Sequence, residues 1–309
     1  MNLSRSLLVA AVMSCTPSLF SQQAGHLEIG GGKIDITFSD TVTTLQRDLV
    51  LDWIKNSARA VITYHDHFPV AHVEIRVRLG AGHGASHGTT YGWKGSLIKV
   101  TAGRESTAAD FADDWLLTHE MLHLAFPSVP ESHHWIEEGL STYVEPVARA
   151  RAGIITPEKM WGEFVRDMPQ GQPEAGDRGL DFTPTWGRTY WGGAIFCLLA
   201  DVEIRKRTSN RLGLEHALRA IVKAGGTIEA DWELEKAIEA GDKATGVPVL
   251  HDLYMKMRAT SVQTDLEGLW RQLGIEHHDN HISFNDTAPL AAIRKAITAH
   301  PGVAPLPRP

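Results

Sequence analysis

The chain has 309 residues, of which 43% are hydrophobic and 22% are charged, and this composition excludes a disordered protein. The formal net charge is −7 and no run is rich in lysine and arginine, which excludes a nucleic-acid partner because phosphate binding needs a dense basic surface. We expect one large globular domain or two lobes that share a cleft.

Residues 1–24 have the layout of a secretory signal peptide. Arg5 supplies a positive charge, a short apolar run follows it, and small and polar residues continue to Gln23. The apolar run is shorter than the ~20 residues that a membrane-spanning helix needs, and no later segment is long and apolar enough. The sequence therefore predicts an exported protein, periplasmic or extracellular, without a transmembrane helix.

Only two cysteines occur, Cys15 and Cys197. Because Cys15 lies at the end of the signal-like run, we predict no structural disulfide in the mature chain. Residues 12–15 also loosely resemble a bacterial lipoprotein box. A lipid anchor at Cys15 is therefore an alternative form of export.

Residues 25–127 combine strand and helix patterns and are predicted to form an N-terminal β/α lobe. The strands are indicated by apolar residues at alternate positions and the helices by apolar residues at helical spacing. The predicted elements are strands over 27–38, 73–79 and 97–100, and helices within 41–68 and 107–126. The last helix starts at a capping box of Thr107 and Asp110.

Residues 128–275 have helical spacing almost throughout and are predicted to form a second, mainly helical lobe. The predicted helices cover 133–152, 157–167, 187–207, 211–224, 228–240, 248–259 and 262–273. Residues 276–309 form a C-terminal segment of mixed character. A sheet lobe followed by a helical lobe predicts an α+β fold with an active-site cleft between the lobes.

The sharpest chemical feature is the motif His-Glu-Met-Leu-His at 119–123. Two histidines four residues apart lie on one face of a helix, so His119 and His123 can reach one metal ion at about 2.0–2.1 Å. Glu120 flanks this site without having to bind the metal. It can take a proton from a water molecule held there, which makes it the predicted general base.

A second helix is predicted to complete the metal site. It starts a few residues after the first helix ends near Pro127, and a connection of this length folds it back beside the first helix. Its segment Trp-Ile-Glu-Glu-Gly-Leu-Ser-Thr-Tyr offers a carboxylate as third ligand, either Glu137 or Glu138. Three protein ligands leave one coordination position for water, which is typical of a catalytic site.

The two helices resemble the gluzincin, or thermolysin-like, zinc metallopeptidases. The segment 135–143 is similar to the Trp-x-x-Glu-Gly-x-x-x-Tyr pattern of the aminopeptidase N and glycyl-aminopeptidase families. The resemblance implies a zincin fold, one Zn²⁺ ion, a peptide or protein substrate, and Glu138 as third ligand, with Glu137 as the alternative. The segment 188–195 resembles the family's Tyr-x-x-Gly segment, which implies that Tyr190 donates a hydrogen bond to the oxyanion.

Three further residues near these motifs have predicted roles. Glu145 shares a helix face with Glu138 and is either an acceptor for a ligand histidine or part of a solvated acidic face. Pro146 is predicted to break or kink the second helix just after the site. Arg188 is predicted to be a surface charge, with binding of a substrate carboxylate as the alternative.

The chain departs from the aminopeptidase pattern in the Gly-rich segment 80–91, where gluzincins place the strand that pairs with substrate. Aminopeptidase N relatives carry a carboxylate there for the substrate's amino group, but residues 75–104 contain no Asp or Glu. With about eighty residues between the predicted signal peptide and the predicted metal-binding helix, we expect a compact catalytic unit. The predicted function is a zinc endopeptidase; the alternatives are an aminopeptidase and a non-catalytic zinc-containing binding protein.

Overall fold

The structure is a computed structural model that describes residues 22–278 and 281–300. Residues 1–21 of the predicted signal peptide, including Cys15, lie outside the described residues, so export and lipid anchoring stay predictions. Within the described ranges, no helix combines the length and the apolar character that crossing a membrane requires.

The N-terminal part of the described chain forms a five-stranded mixed sheet with one long helix. Its elements are β1 (Gln22–Ile29), β2 (Gly32–Phe38), α1 (Thr44–His65), β3 (His72–Gly80), β4 (Ala85–Tyr91) and β5 (Ser96–Gly103). The strand order is β1-β2-β3-β5-β4, with β2, β3 and β5 parallel and the two outer strands antiparallel to their neighbours. The predicted strands are confirmed, and β4 lies at an edge of the sheet.

The sheet buries one face because its apolar residues alternate along the three central strands. Ile34 and Ile36 of β2, Ile75 of β3 and Ile98 of β5 are fully buried in a core shared with Trp53 of α1. These residues fix the register, since a shift by one position would expose all of them.

The rest of the described chain is mainly helical, as predicted. It comprises α2 (Ala108–Asp113), α3 (Leu116–His123), α4 (His134–Arg151), α5 (Pro157–Asp167), α6 (Gly193–Arg207), α7 (Leu214–Lys223), α8 (Leu234–Thr245), α9 (Val249–Met257), α10 (Leu266–Leu273), β6 (Ile275–His278), β7 (His281–Phe284) and α11 (Ala291–Thr298). The α+β class with a β/α part followed by a helical part is thereby confirmed.

The prediction of a single helix over 107–126 is wrong, because the helix is interrupted at Asp114. The capping box of Thr107 and Asp110 caps only the short α2. Asp114 has an extended backbone, and its carboxylate accepts hydrogen bonds from the indole of Trp53 at 2.8 Å and from the backbone N–H of Leu117 at 3.3 Å. A contact with distant α1 thus starts a new helix, α3, which carries the metal-binding motif.

Two other predictions of local structure are wrong for tertiary reasons. The helix predicted over 228–240 begins only at Leu234, because the backbone of Ala230 and Trp232 pairs with Ser128 instead. The predicted break at Pro146 does not occur, since α4 continues to Arg151. Proline removes one backbone donor, and here the burial of the helix on neighbouring elements outweighs that loss.

His65, the last residue of α1, makes stability sensitive to acid. It is 1% exposed, and its Nδ1 has no hydrogen-bond partner among the residues that the structure describes. Burial lowers its pKa from 6.5 to about 3. Above pH 6.5 His65 is neutral in both states, so the lowered pKa does not change the free energy of unfolding. Between pH 6.5 and 3 the unfolded chain binds a proton at His65 and the folded chain does not, so the free energy of unfolding falls as the pH falls.

We expect His65→Asn to remove this acid sensitivity. At pH 5 the protonation of unfolded His65 should lower the free energy of unfolding by about 2 kcal/mol relative to pH 7. Urea unfolding of both proteins at the two pH values measures the effect, and the wild type should lose more stability than the variant. Equal losses in the two proteins would contradict the prediction.

Candidate metal centre

The helices α3 and α4 bring the three predicted metal ligands together. The Nε2 atom of His119 lies 3.1 Å from Oε2 of Glu138, and the Nε2 atom of His123 lies 3.6 Å from the same oxygen. One ligand atom from each residue lies within 4.8 Å of the others. Two ligands at about 2.0–2.1 Å from a tetrahedral ion are separated by about 3.4 Å, so the spacing fits one Zn²⁺.

Burial and charge prepare His119 and Glu138 to bind a cation. The side chains of His119, His123 and Glu138 are 5%, 12% and 12% exposed. Burial lowers the pKa of His119, which favours the neutral imidazole that a metal requires. Burial opposes ionisation of Glu138, but hydrogen bonds from His119, His123 and His134 outweigh it and hold its pKa well below the usual range.

The first turn of α4 is held in place by Glu137, the alternative ligand. Its Oε1 accepts the backbone N–H of Val129 at 3.1 Å, and its Oε2 accepts from Nδ1 of His134 at 2.7 Å. Both oxygens therefore have other partners, and Glu138 occupies the ligand position.

His134 was not singled out in the sequence, yet it touches both glutamates. Its Nε2 lies 3.4 Å from Oε1 of Glu138, the oxygen that does not face the two ligand histidines. Hydrogen bonds to Glu137 and Glu138 raise the pKa of His134 to about 10, so the ring is a double donor at neutral pH. Its position four residues before Glu138, on the same helix face, was the available sequence signal.

We expect His134→Ala to weaken zinc binding by roughly 10- to 100-fold, because loss of a group that orients a ligand typically has this effect. Competition with a chromophoric chelator measures the zinc dissociation constant. His251→Ala is the control, since His251 is exposed on α9 and its ring lies near Asp252, which is not a residue of the site. Unchanged affinity in His134→Ala would contradict an orienting role.

The predicted general base lies between the zinc helix and the sheet. Glu120 is 7% exposed, and its Oε2 accepts a hydrogen bond from Thr90 Oγ1 of β4 at 2.7 Å. Gly88 of β4 packs directly on it, because a Cβ at that position would lie 2.6 Å from Cγ of Glu120. The edge strand therefore runs past the base, as predicted. Sequence reasoning missed Thr90, since nothing in its local pattern marks this contact.

Tyr190 is brought to the same site by a π-helical turn, Arg188–Gly192, which precedes α6. Such turns are frequent at functional sites. The phenol ring lies 6.3 Å from the ring of His119, centroid to centroid. Burial and the charges of Glu138 and Glu120 raise the pKa of Tyr190 to about 12, so the phenol keeps its proton and can donate a hydrogen bond.

The π-helical turn is anchored by Arg188, and the prediction of a surface charge there is wrong. Arg188 is 3% exposed, pairs with Asp177 at 2.8 Å and donates to the carbonyl oxygen of Gly171 at 2.6 Å. It holds the backbone next to Tyr190 in place.

Glu145 takes neither of its two predicted roles. It is buried and forms an ion pair with Arg149 at 2.9 Å. Ser141, one turn closer to Glu138, lies instead 3.3 Å from Nδ1 of His123, where its hydroxyl can orient this ligand.

Comparison with known proteins finds solved structures that share this fold. No protein-family model matches the sequence, and no curated protein matches it. Among solved structures, an aminopeptidase N family protein from Idiomarina loihiensis matches with a TM-score of 0.60 and 14% identity over 81% of this chain and 49% of its own. The fold is that of the M1 zinc metallopeptidases.

A second solved structure with this fold is a mutant of a two-domain M1 zinc metallopeptidase bound to L-arginine. It matches with a TM-score of 0.51 and 13% identity over 79% of this chain and 52% of its own. The chain thus spans about half the length of each of these two structures. The predicted resemblance to aminopeptidase N in fold is confirmed. The three predicted ligand residues form a group that could hold one metal ion.

Proposed function

We propose that the protein is a zinc-dependent peptidase. The observation that carries this proposal is the position of Glu120, which lies beside the three-ligand site and against the edge strand β4. A general base, a cation site and a strand edge able to pair with an extended peptide are the parts that peptide hydrolysis needs. The M1 fold supports the proposal.

The residues around the site divide the reaction between them. The free edge of β4 pairs with the substrate backbone, with Gly88 permitting close approach to Glu120. Glu120 accepts a proton from the attacking water and later delivers it to the leaving amine nitrogen. Tyr190 donates a hydrogen bond to the oxyanion. Zinc, when bound by the three ligands, supplies a Lewis acid that polarises the scissile carbonyl.

Aminopeptidase activity is the mode of cleavage that the comparisons favour. The match from Idiomarina loihiensis is an aminopeptidase N family protein, and the two-domain M1 metallopeptidase is bound to the free amino acid L-arginine. The predicted endopeptidase activity receives no support from either match. One observation still favours internal cleavage. Residues 75–104, which include β4 and its neighbour β5, contain no Asp or Glu to hold a substrate's amino group.

The deciding experiment compares peptides that have a free amino terminus with the same peptides after N-acetylation, and maps the products by mass spectrometry. An aminopeptidase should release single residues from the free peptides and leave the acetylated ones intact. Internal cleavage of the acetylated peptides would establish endopeptidase activity instead. If the zinc-loaded protein cleaves neither series, the peptidase proposal is wrong and a non-catalytic zinc protein remains.

A further inference from the structure

Two tryptophans lie against the metal centre with their indoles in solvent. Trp115 is 53% exposed and immediately precedes α3, and Trp186 is 61% exposed and precedes the π-helical turn of Tyr190. Large apolar side chains are usually buried, and scattered exceptions need no explanation. These two are not scattered, since each contacts a residue of the site.

The rings of His119 and Tyr190 link the two tryptophans across the site. The Trp115 ring meets His119 edge to face at a centroid distance of 5.6 Å, and the Trp186 ring stacks on Tyr190 at 5.7 Å and 29°. Tyr190 in turn stacks on His119 at 6.3 Å and 24°. We call Trp115, His119, Tyr190 and Trp186 the aromatic row. Its two inner members are a metal ligand and the predicted oxyanion donor.

The fold does not account for the exposed indoles. Trp115 is the N-cap residue of α3 but makes no capping hydrogen bond, and the carboxylate of Asp114 accepts the N–H of Leu117 in its place. Small polar residues are the ones that stabilise an N-cap. Neither indole belongs to the hydrophobic core. Both therefore leave apolar, flat surface exposed beside His119 and Tyr190.

We propose that the aromatic row is a specificity subsite for an aromatic side chain adjacent to the scissile bond, an inference that rests on the proposed peptidase function. Aromatic rings attract one another at centroid distances of about 4.5–7 Å, in offset-stacked or edge-to-face geometry. An incoming ring placed on Trp186 or Trp115 would extend the row with the spacing it already has. Burial of the two exposed indoles by the ligand adds to the attraction.

The first test measures kcat/KM on peptides that differ only in one residue, Phe, Ala or Arg, placed at the free amino terminus in one series and inside an acetylated peptide in the other. The wild type should prefer Phe to Ala by at least about tenfold. Trp186→Ala should lower the value for Phe at least about fivefold and that for Ala less than about twofold, and Trp186→Phe should restore the preference. Trp115→Ala should act in the same direction.

Trp93→Ala is the matched control, because Trp93 is 82% exposed in the connection between β4 and β5 and contacts only Lys94 among the rings and cations described. It should leave the Phe preference unchanged. An equal loss for Phe and Ala substrates in Trp186→Ala would overturn the proposal, since it would mean that the indole only supports Tyr190. A preference for Arg that depends on the tryptophans would also overturn it, because aromatic faces attract cations too.

A binding measurement separates failure of the subsite from failure of the peptidase. The zinc-loaded Glu120→Gln variant and the zinc-loaded double variant with Glu120→Gln and Trp186→Ala are each titrated calorimetrically with the Phe and Ala peptides. Tighter binding of the Phe peptide that is lost in the double variant supports the subsite even if the wild type proves inactive. Hydrolysis by the wild type combined with equal binding of both peptides would overturn the subsite and leave the peptidase proposal intact.

Discussion

Glu120→Gln should lower turnover by roughly 10²- to 10⁴-fold without loss of zinc, because general acid and base groups typically contribute this much to catalysis. Glutamine keeps the size of the side chain. Its carbonyl oxygen can still accept the hydrogen bond from Thr90 Oγ1, which lies 2.7 Å from Glu120 Oε2 in the wild type. It cannot accept a proton from the attacking water. The measurements are kcat on a cleaved peptide and the zinc content per chain.

Glu131→Gln is the control for this prediction, since Glu131 is exposed in the turn before α4. It should retain both zinc and activity. If Glu120→Gln retains turnover within about tenfold of the wild type, another group must serve as base. If it loses zinc, the variant has disturbed the ligands and its inactivity says nothing about proton transfer.

Gly139→Ala should lower the free energy of unfolding by about 3 kcal/mol and weaken zinc binding as well. Gly139 follows the ligand Glu138 on α4 and faces Gly193 of α6. A Cβ at Gly139 would lie 2.3 Å from Cα of Gly193, and one at Gly193 would lie 2.2 Å from the carbonyl oxygen of Trp135. Backbone atoms cannot rotate away, so the two helices must separate. Glu138 lies on α4 and Tyr190 lies in the turn that leads into α6, so this separation would also disturb the site.

Gly162→Ala is the matched control, because it is another glycine inside a helix, α5, where a new Cβ would meet only Cγ1 of Ile282 at 3.3 Å. Alanine has the higher helix propensity, so this variant should stay within about 1 kcal/mol of the wild type. Thermal unfolding and chelator competition test both variants. Wild-type stability in Gly139→Ala would show that α4 and α6 can move apart at little cost.

The glycine after Glu138 thus has a structural explanation that complements the motif. The pair Glu-Gly places a metal ligand next to the point where two helices make backbone contact. Glu138 and Tyr190 are 52 residues apart in the chain, and this crossing brings their elements together. Stability of the crossing and geometry of the site are therefore coupled.

The sequence by itself determined the elements whose signals are local. The spacing of His119 and His123 predicts two ligands on one helix face because a helix repeats within a few residues, and the strand patterns of β2, β3 and β5 are equally short-ranged. The choice of Glu138 over Glu137 came from resemblance to a family pattern. The structure places it in the ligand set.

Only the tertiary structure decided the features that depend on residues far apart in the chain. The hydrogen bond from the indole of Trp53 accounts for the break between two helices at Asp114. Thr90 of the edge strand donates a hydrogen bond to Glu120, and Asp177 forms an ion pair with the buried Arg188. No periodicity encodes such contacts, because each arises when separate elements pack together and bury polar groups that must then find partners. For the same reason the aromatic row became visible only once α3 and the π-helical turn lay side by side.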